Sequence, residues 1–273
     1  MEWLIDPFSP EFMQRALLAG ALAAAITALV GTWVVIRGLT FMGDALAHGV
    51  LPGIALGVVW GFDLTLGAAV SALAMVAGIN VIHRFSRLHE DVGIGLLFVG
   101  MLAAGVVIIS RSASYSGDLT EILFGNPLAA TNADLAFLGA ALIAVVISTF
   151  VLYRAFLVLS FNHQKAAMLG LRPRLAHVLM LTLVTLAVVA SFQTVGSLLV
   201  FAFLVAPPAA ASLLVRRVPA MMLVSAVFGV VAVVVGLVVS WHADTAASAT
   251  VAAVAVAGFF VVLAFRATPT SSS

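Results

Sequence analysis

Within Arg37–Gly57, RGLTFMGDALAHGVLPGIALG, two side chains can do chemistry: the carboxylate of Asp44 and the imidazole of His48. They stand four residues apart in a stretch apolar enough to lie inside a bilayer. On a helix, residues at i and i+4 share a face one turn apart. A carboxylate near mid-membrane costs roughly 2.5–3.5 kcal/mol on insertion scales, so such residues face a bundle interior or an aqueous path. The pair can bond internally, or it can share a divalent cation. Pro52 continues the same column as a candidate helix break or gate. Gly49, Gly53 and Gly57 form a second column roughly 100° further round the helix. That GxxxGxxxG edge is flat enough for another helix to dock closely. One helix therefore offers a cavity-facing oxygen/nitrogen pair, an arrangement suited to metal transit, and a flat packing surface.

The elements that must position this pair are membrane helices. Of the 273 residues 64% are hydrophobic and 8% charged, with a mean hydropathy of +1.25. Soluble domains carry about 25% charged residues. Repeated apolar runs near the length of a bilayer-crossing helix predict an all-α, polytopic bundle and not a barrel. The runs lie at about 13–36, 41–60, 62–83, 92–110, 132–159, 175–192, 195–215, 219–240 and 246–265, or eight spans if two merge. With the N-terminus outside, ten of the twelve Lys and Arg residues fall at cytoplasmic ends, leaving only Arg15 and Arg111 outside. The expectation is therefore N-out and C-in. The acidic N-terminus, MEWLIDPFSPEF, lacks the basic start of a cleaved leader. Residues 1–273 read as a single transmembrane unit with a polar tail at 267–273. The net charge of +1 offers no case for nucleic acid, and the absence of cysteine excludes thiolate metal sites and disulfides.

Three further stretches interrupt the apolar pattern. The external interval 111–131 contains a short helical stretch, Leu119–Phe124, closed by Gly125-Asn126-Pro127; it reads as a gate, a docking surface or an ordered loop. The cytoplasmic interval 161–174 reads as a short helix capped by Asn162 and closed by Gly170, with Lys165 toward water and Ala166 and Leu169 on an apolar side. Such a helix suits a partner protein or the membrane interface. Consecutive prolines, Pro207-Pro208, sit inside an apolar span and are candidate break or gate residues, or a packing kink. Weaker signals are His83, His89, Glu90 and Asp91, as a cytoplasmic exit site or a solvated loop, and His242 with Asp244 at an external helix end. Asn80, Gln193 and Thr194 read as interhelical hydrogen-bonders.

Three motifs carry a resemblance. Gly43-Asp44-Ala45-Leu46-Ala47-His48-Gly49-Val50-Leu51-Pro52-Gly53 is similar to the most specific segment of the permease subunits of ATP-binding-cassette importers for zinc, manganese and ferrous iron. Leu123-Phe124-Gly125-Asn126 resembles that family's external-loop motif, and Gly196-Ser197-Leu198-Leu199-Val200 through Pro207 its post-coupling helix. Ala166–Gly170 looks like the coupling helix that fits the ATPase subunit. The resemblance implies that Asp44 and His48 contact the transported Zn²⁺ or Mn²⁺, with Fe²⁺ a third candidate, and that no cofactor is permanently bound. It also implies a second permease copy, a cytoplasmic ATPase dimer, an extracytoplasmic metal-binding protein and a bacterial-type inner membrane. The chain departs from the pattern at Asn162-His163, where an acid is usual, and at Thr245–Ser248, where a Pro-Ser/Thr-Gly turn is common.

The residues also admit readings from other classes. An ion-gradient-driven transporter or channel would use Asp44 and His48 as a proton relay, and a structural subunit would have no transport path. The chain holds no GxxxxGK[ST] loop, and Lys165 is its sole lysine, so it cannot hydrolyse ATP by that route.

Overall fold

A computed structural model describes residues 6–85, 90–110, 125, 127–161 and 173–267, apart from the side chains at 83–84, 90–91, 161, 173–174, 193 and 267. Among the described residues there are helices and no strands. In chain order these are α1 (Glu11–Ile36), α2 (Thr40–Gly49), α3 (Leu51–Trp60), α4 (Leu64–Phe85), α5 (Glu90–Ile109), α6 (Asn132–Phe161), α7 (Pro173–Leu214), α8 (Val218–Ala243) and α9 (Ala247–Ala267). Nine stretches among the described residues are long and apolar enough to cross a membrane, α2 with α3 making one and α7 making two. The predicted runs and these spans agree to within a few residues, with nine such stretches among the described residues.

The bundle is organised round α1. Its small residues let neighbours approach, the main basis of helix association in lipid. A side chain at Gly20 would meet Val233 of α8, and one at Gly31 would overlap the Leu204 carbonyl of α7. Trp33 is fully buried and meets Tyr153 and Phe156 of α6 edge-to-face, with ring centroids 5.6 Å away in both cases. Polar caps set the entry of two spans. The Asp63 carboxylate accepts from the Leu66 amide at 2.9 Å before α4. Thr131 and Asp134 bond reciprocally at the start of α6.

The two prolines of α7 do not mark its break. The chain passes through Pro207 and Pro208 in helical conformation, and the non-helical residue is Gly196 (φ 80°, ψ 162°). That region of dihedral space is essentially restricted to glycine. The break is a reversal. Arg37 bonds His177 and reaches Met180, while Gly31, less than two turns earlier on α1, abuts Leu204 and Pro208. A straight helix rising about 1.5 Å per residue would hold Met180 and Leu204 about 36 Å apart. Both lie against the same end of α1, so α7 is a helical hairpin with its turn at Gly196. Pro208 removes the amide that would bond the Leu204 carbonyl, and the close packing of Gly31 against that oxygen covers the gap.

Candidate functional site

Helix α2 buries six of its ten residues: Met42, Gly43, Ala45, Leu46, Ala47 and Gly49. The exceptions are Thr40, Phe41, Asp44 and His48. Phe41, Asp44 and His48 follow the i, i+3, i+7 spacing of one helix face, so both ionisable groups lie on the open stripe of an otherwise enclosed helix. The remaining faces are held by neighbours. Gly43 receives the Leu204 side chain of α7, and Gly49 receives Met75 of α4. Gly53 meets the backbone of Gly67, so two glycines bring α3 and α4 into main-chain contact, and Gly57 abuts Leu64. The column Gly49, Gly53, Gly57 therefore lies against α4 and its entry.

His48 Nε2 stands 3.5 Å from Asp44 Oδ1, with the side chains 21% and 26% exposed respectively. This exceeds the usual hydrogen-bond range of about 2.7–3.2 Å. Two donors each about 2.1 Å from a tetrahedral ion would stand about 3.4 Å apart. The spacing is thus that of a loose internal pair, and it is also compatible with a shared cation. The His48 ring meets Phe98 of α5 edge-to-face, centroids 5.6 Å apart, and Phe98 in turn meets Phe41 at 5.8 Å. Nε2 is the nitrogen turned toward the carboxylate, while Nδ1 is buried with no hydrogen-bond partner among the described residues.

The helix is interrupted just beyond the pair. Pro52, in the first turn of α3, has no amide to give the His48 carbonyl. That oxygen is met instead by the Val50 amide, and Val50 itself keeps near-helical dihedrals (φ −76°, ψ −20°). The Gly49 carbonyl accepts a bond from the buried Ser71 hydroxyl of α4 at 2.8 Å. Ser71 was invisible as a site residue in the sequence, because its role depends on a register between helices twenty residues apart.

Other sequence-predicted residues fall elsewhere. Asn162, Lys165, Ala166, Leu169 and Gly170 lie outside the described residues, as do His89, most of the interval 111–126 and the side chains of His83, Glu90, Asp91 and Gln193. Asn80 is not an interhelical bonder through its amide nitrogen, which donates within its own helix to Val76 O at 2.8 Å. Thr194 is buried. His242 Nδ1 lies 2.9 Å from the Val238 carbonyl one turn earlier, and Asp244 forms a left-handed helix end (φ 49°). Among the described residues no cluster of three or more His, Asp or Glu side chains could hold a metal. The described residues of one chain therefore bring Asp44 and His48 together and add no third such ligand to them. Two motif glycines from distant segments do meet: a side chain at Gly125 would collide with the backbone of Val195 and Gly196. The described end of the interval 111–131, with Pro127 buried, thus seats on the turn of the α7 hairpin.

Comparisons with known proteins accord with this architecture. The manganese transport system membrane protein MntC of Listeria innocua is 35% identical over 254 residues, covering 93% of this chain and 90% of that protein. The chelated iron transport system membrane protein YfeD of Yersinia pestis is 34% identical over 265 residues, covering 96% and 88%. The solved structure of PsaBC from Streptococcus pneumoniae in complex with Fab superposes with a TM-score of 0.85 at 31% identity, covering 96% of this chain and 94% of that one. Residues 9–266 match the family described as the ABC 3 transport family. With nine membrane-length stretches among the described residues, a break beside an acid–imidazole pair and this match along nearly its whole length, the chain belongs to the ABC 3 transport family, as a multi-pass permease subunit of the bacterial inner membrane served by a separate ATPase.

Proposed function

We propose that this permease forms, with a second copy of itself, the path by which an ATP-driven importer carries a divalent transition metal inward, and that Asp44 and His48 are its transit ligands. The observation that carries this reading is their position on the open stripe of a helix buried on its other faces. A single chain supplies one carboxylate and one imidazole there. Two copies related by a twofold axis would supply four nitrogen and oxygen donors, enough for a divalent ion. The names of the relatives carry manganese and chelated iron, which favours Mn²⁺ or Fe²⁺ over Zn²⁺ as cargo.

Charge and packing together support one orientation. Arg37, His177, the Leu214 carbonyl and Arg266 gather toward one end of the bundle, and Phe12 meets Trp241 at the other. Placing the arginine-rich end in the cytoplasm gives N-out and C-in. The interval 161–174, including Asn162, Lys165, Ala166, Leu169 and Gly170, then faces an ATPase dimer. The opposite end faces a metal-binding protein.

The test is metal uptake into vesicles holding permease and ATPase, with manganese, iron and zinc compared. Asp44→Asn should lower uptake at least about tenfold, the scale of losing roughly 1.4 kcal/mol of ligand energy. Uptake that persists without ATP would favour the gradient-driven alternative. Unchanged uptake in Asp44→Asn and His48→Ala would leave the pair without a transport role.

A further inference from the structure

We propose that Arg37 and His177 form a strut that transmits movement from the cytoplasmic coupling interval to the helix bearing Asp44 and His48. The inference rests on the proposed function, since it takes the segment just before α7 as the place where ATPase motion enters. Arg37 caps the C-terminal end of α1. Its Nη1 lies 3.0 Å from His177 Nδ1 and 3.6 Å from the Met180 sulfur, in a part-buried setting. A guanidinium carries donors only, so His177 Nδ1 must be the acceptor and the ring is neutral with its proton on Nε2. The chemistry of the pair thus fixes the tautomer.

The location of the strut gives it a mechanical role. His177 lies in the opening turns of α7, which begins at Pro173, next to the coupling interval. Arg37 is followed by Gly38 and Leu39, and then by α2, which carries both proposed ligands. Gly38 has φ 69°, and a side chain there would meet nothing within 4 Å. Glycine at that joint is required by the backbone turn and not by crowding. The joint is thus a defined corner with open space around it. Displacing the start of α7 would pull on Arg37, and through the corner on α2. Leu204 and Met75 seat on Gly43 and Gly49 along the flank of α2, so a pull entering at its first turn passes directly to Asp44, the next residue of the same helix. Arg37 and His177 are positioning residues and touch no metal.

The experiment uses the full complex of permease and ATPase in proteoliposomes, and reads manganese uptake and ATP hydrolysis in the same sample. His177→Ala removes the acceptor without changing the basic residues that orient the chain. It should lower metal carried per ATP by about fivefold or more, the scale of an ordinary coupling energy, while hydrolysis continues. His177→Asn keeps an acceptor oxygen close to the Nδ1 position and should restore most of the ratio. In Arg37→Gln, adding His177→Ala should cause little further loss, because one interaction is removed twice. An unchanged ratio in His177→Ala would overturn the strut. So would His177→Asn behaving as badly as His177→Ala, or a parallel fall of uptake and hydrolysis in both. If the unmodified complex shows no ATP-dependent manganese, iron or zinc uptake, the transport reading fails first and independently.

Discussion

At the scale of single residues, the site turns on two donors and the atoms that aim them. Only a neutral imidazole has a lone pair for a metal, so protons and cations compete for His48. Uptake should therefore fall as external pH is lowered, and raising the metal concentration should recover it. The check is a set of uptake curves at several pH values with the internal pH held constant; curves that coincide would remove His48 from the ligand set. Ser71 acts one step behind the donors. Its hydroxyl supplies a hydrogen bond to the Gly49 carbonyl where the helix is interrupted. Ser71→Ala would leave that buried oxygen short of a donor, at a cost of about 1–3 kcal/mol. Thermal unfolding in detergent should report the loss, and metal binding should weaken with it because His48 precedes Gly49 directly.

At the scale of elements, the two interruptions have different causes. Between α2 and α3 the cause is chemical: Pro52 withholds an amide and Ser71 supplies a bond nearby. In α7 the cause is conformational, since Gly196 adopts dihedrals that other residues rarely reach. Gly196→Ala should thus destabilise the hairpin by about 1–3 kcal/mol, with a lower unfolding temperature. Pro207→Ala, in a segment already helical, should leave stability unchanged or raise it. The reverse ranking would move the turn to the prolines. The contact of Gly125 with the hairpin turn also joins the interval 111–131 to α7, so Gly125→Ala should share the Gly196→Ala phenotype.

For the whole molecule, the question is what covers the open stripe of α2. A second copy seated there would bring the two Asp44 side chains across a common axis. The chain holds no cysteine, so a single introduced thiol gives an unambiguous reading. Asp44→Cys, treated in membranes with a short bifunctional thiol reagent, should yield a covalent dimer. A control cysteine at Phe150, on the outward face of α6 and 84% exposed, should remain monomeric. Cross-linking at Phe150 with none at position 44 would place the interface elsewhere and separate the two halves of the proposed site.

Membrane class, helical architecture and the approximate spans were legible in the chain itself, because hydropathy and helix length are local properties that a bilayer enforces segment by segment. The Asp44–His48 pair was legible for the same reason: its spacing on one helix is decided by 3.6 residues per turn and needs no tertiary information. Ser71, Phe98 and the Arg37–His177 bond were not, since each depends on how one helix is rotated and shifted against another. The prolines at 207 and 208 misdirected the local reading of α7. Their lost hydrogen bonds are absorbed by close packing against α1 at Gly31, while a lone glycine carries the reversal. Sequence thus determined which ionisable residues lie within an apolar span; only the packing of helices decided that the face bearing them stays open while the others close.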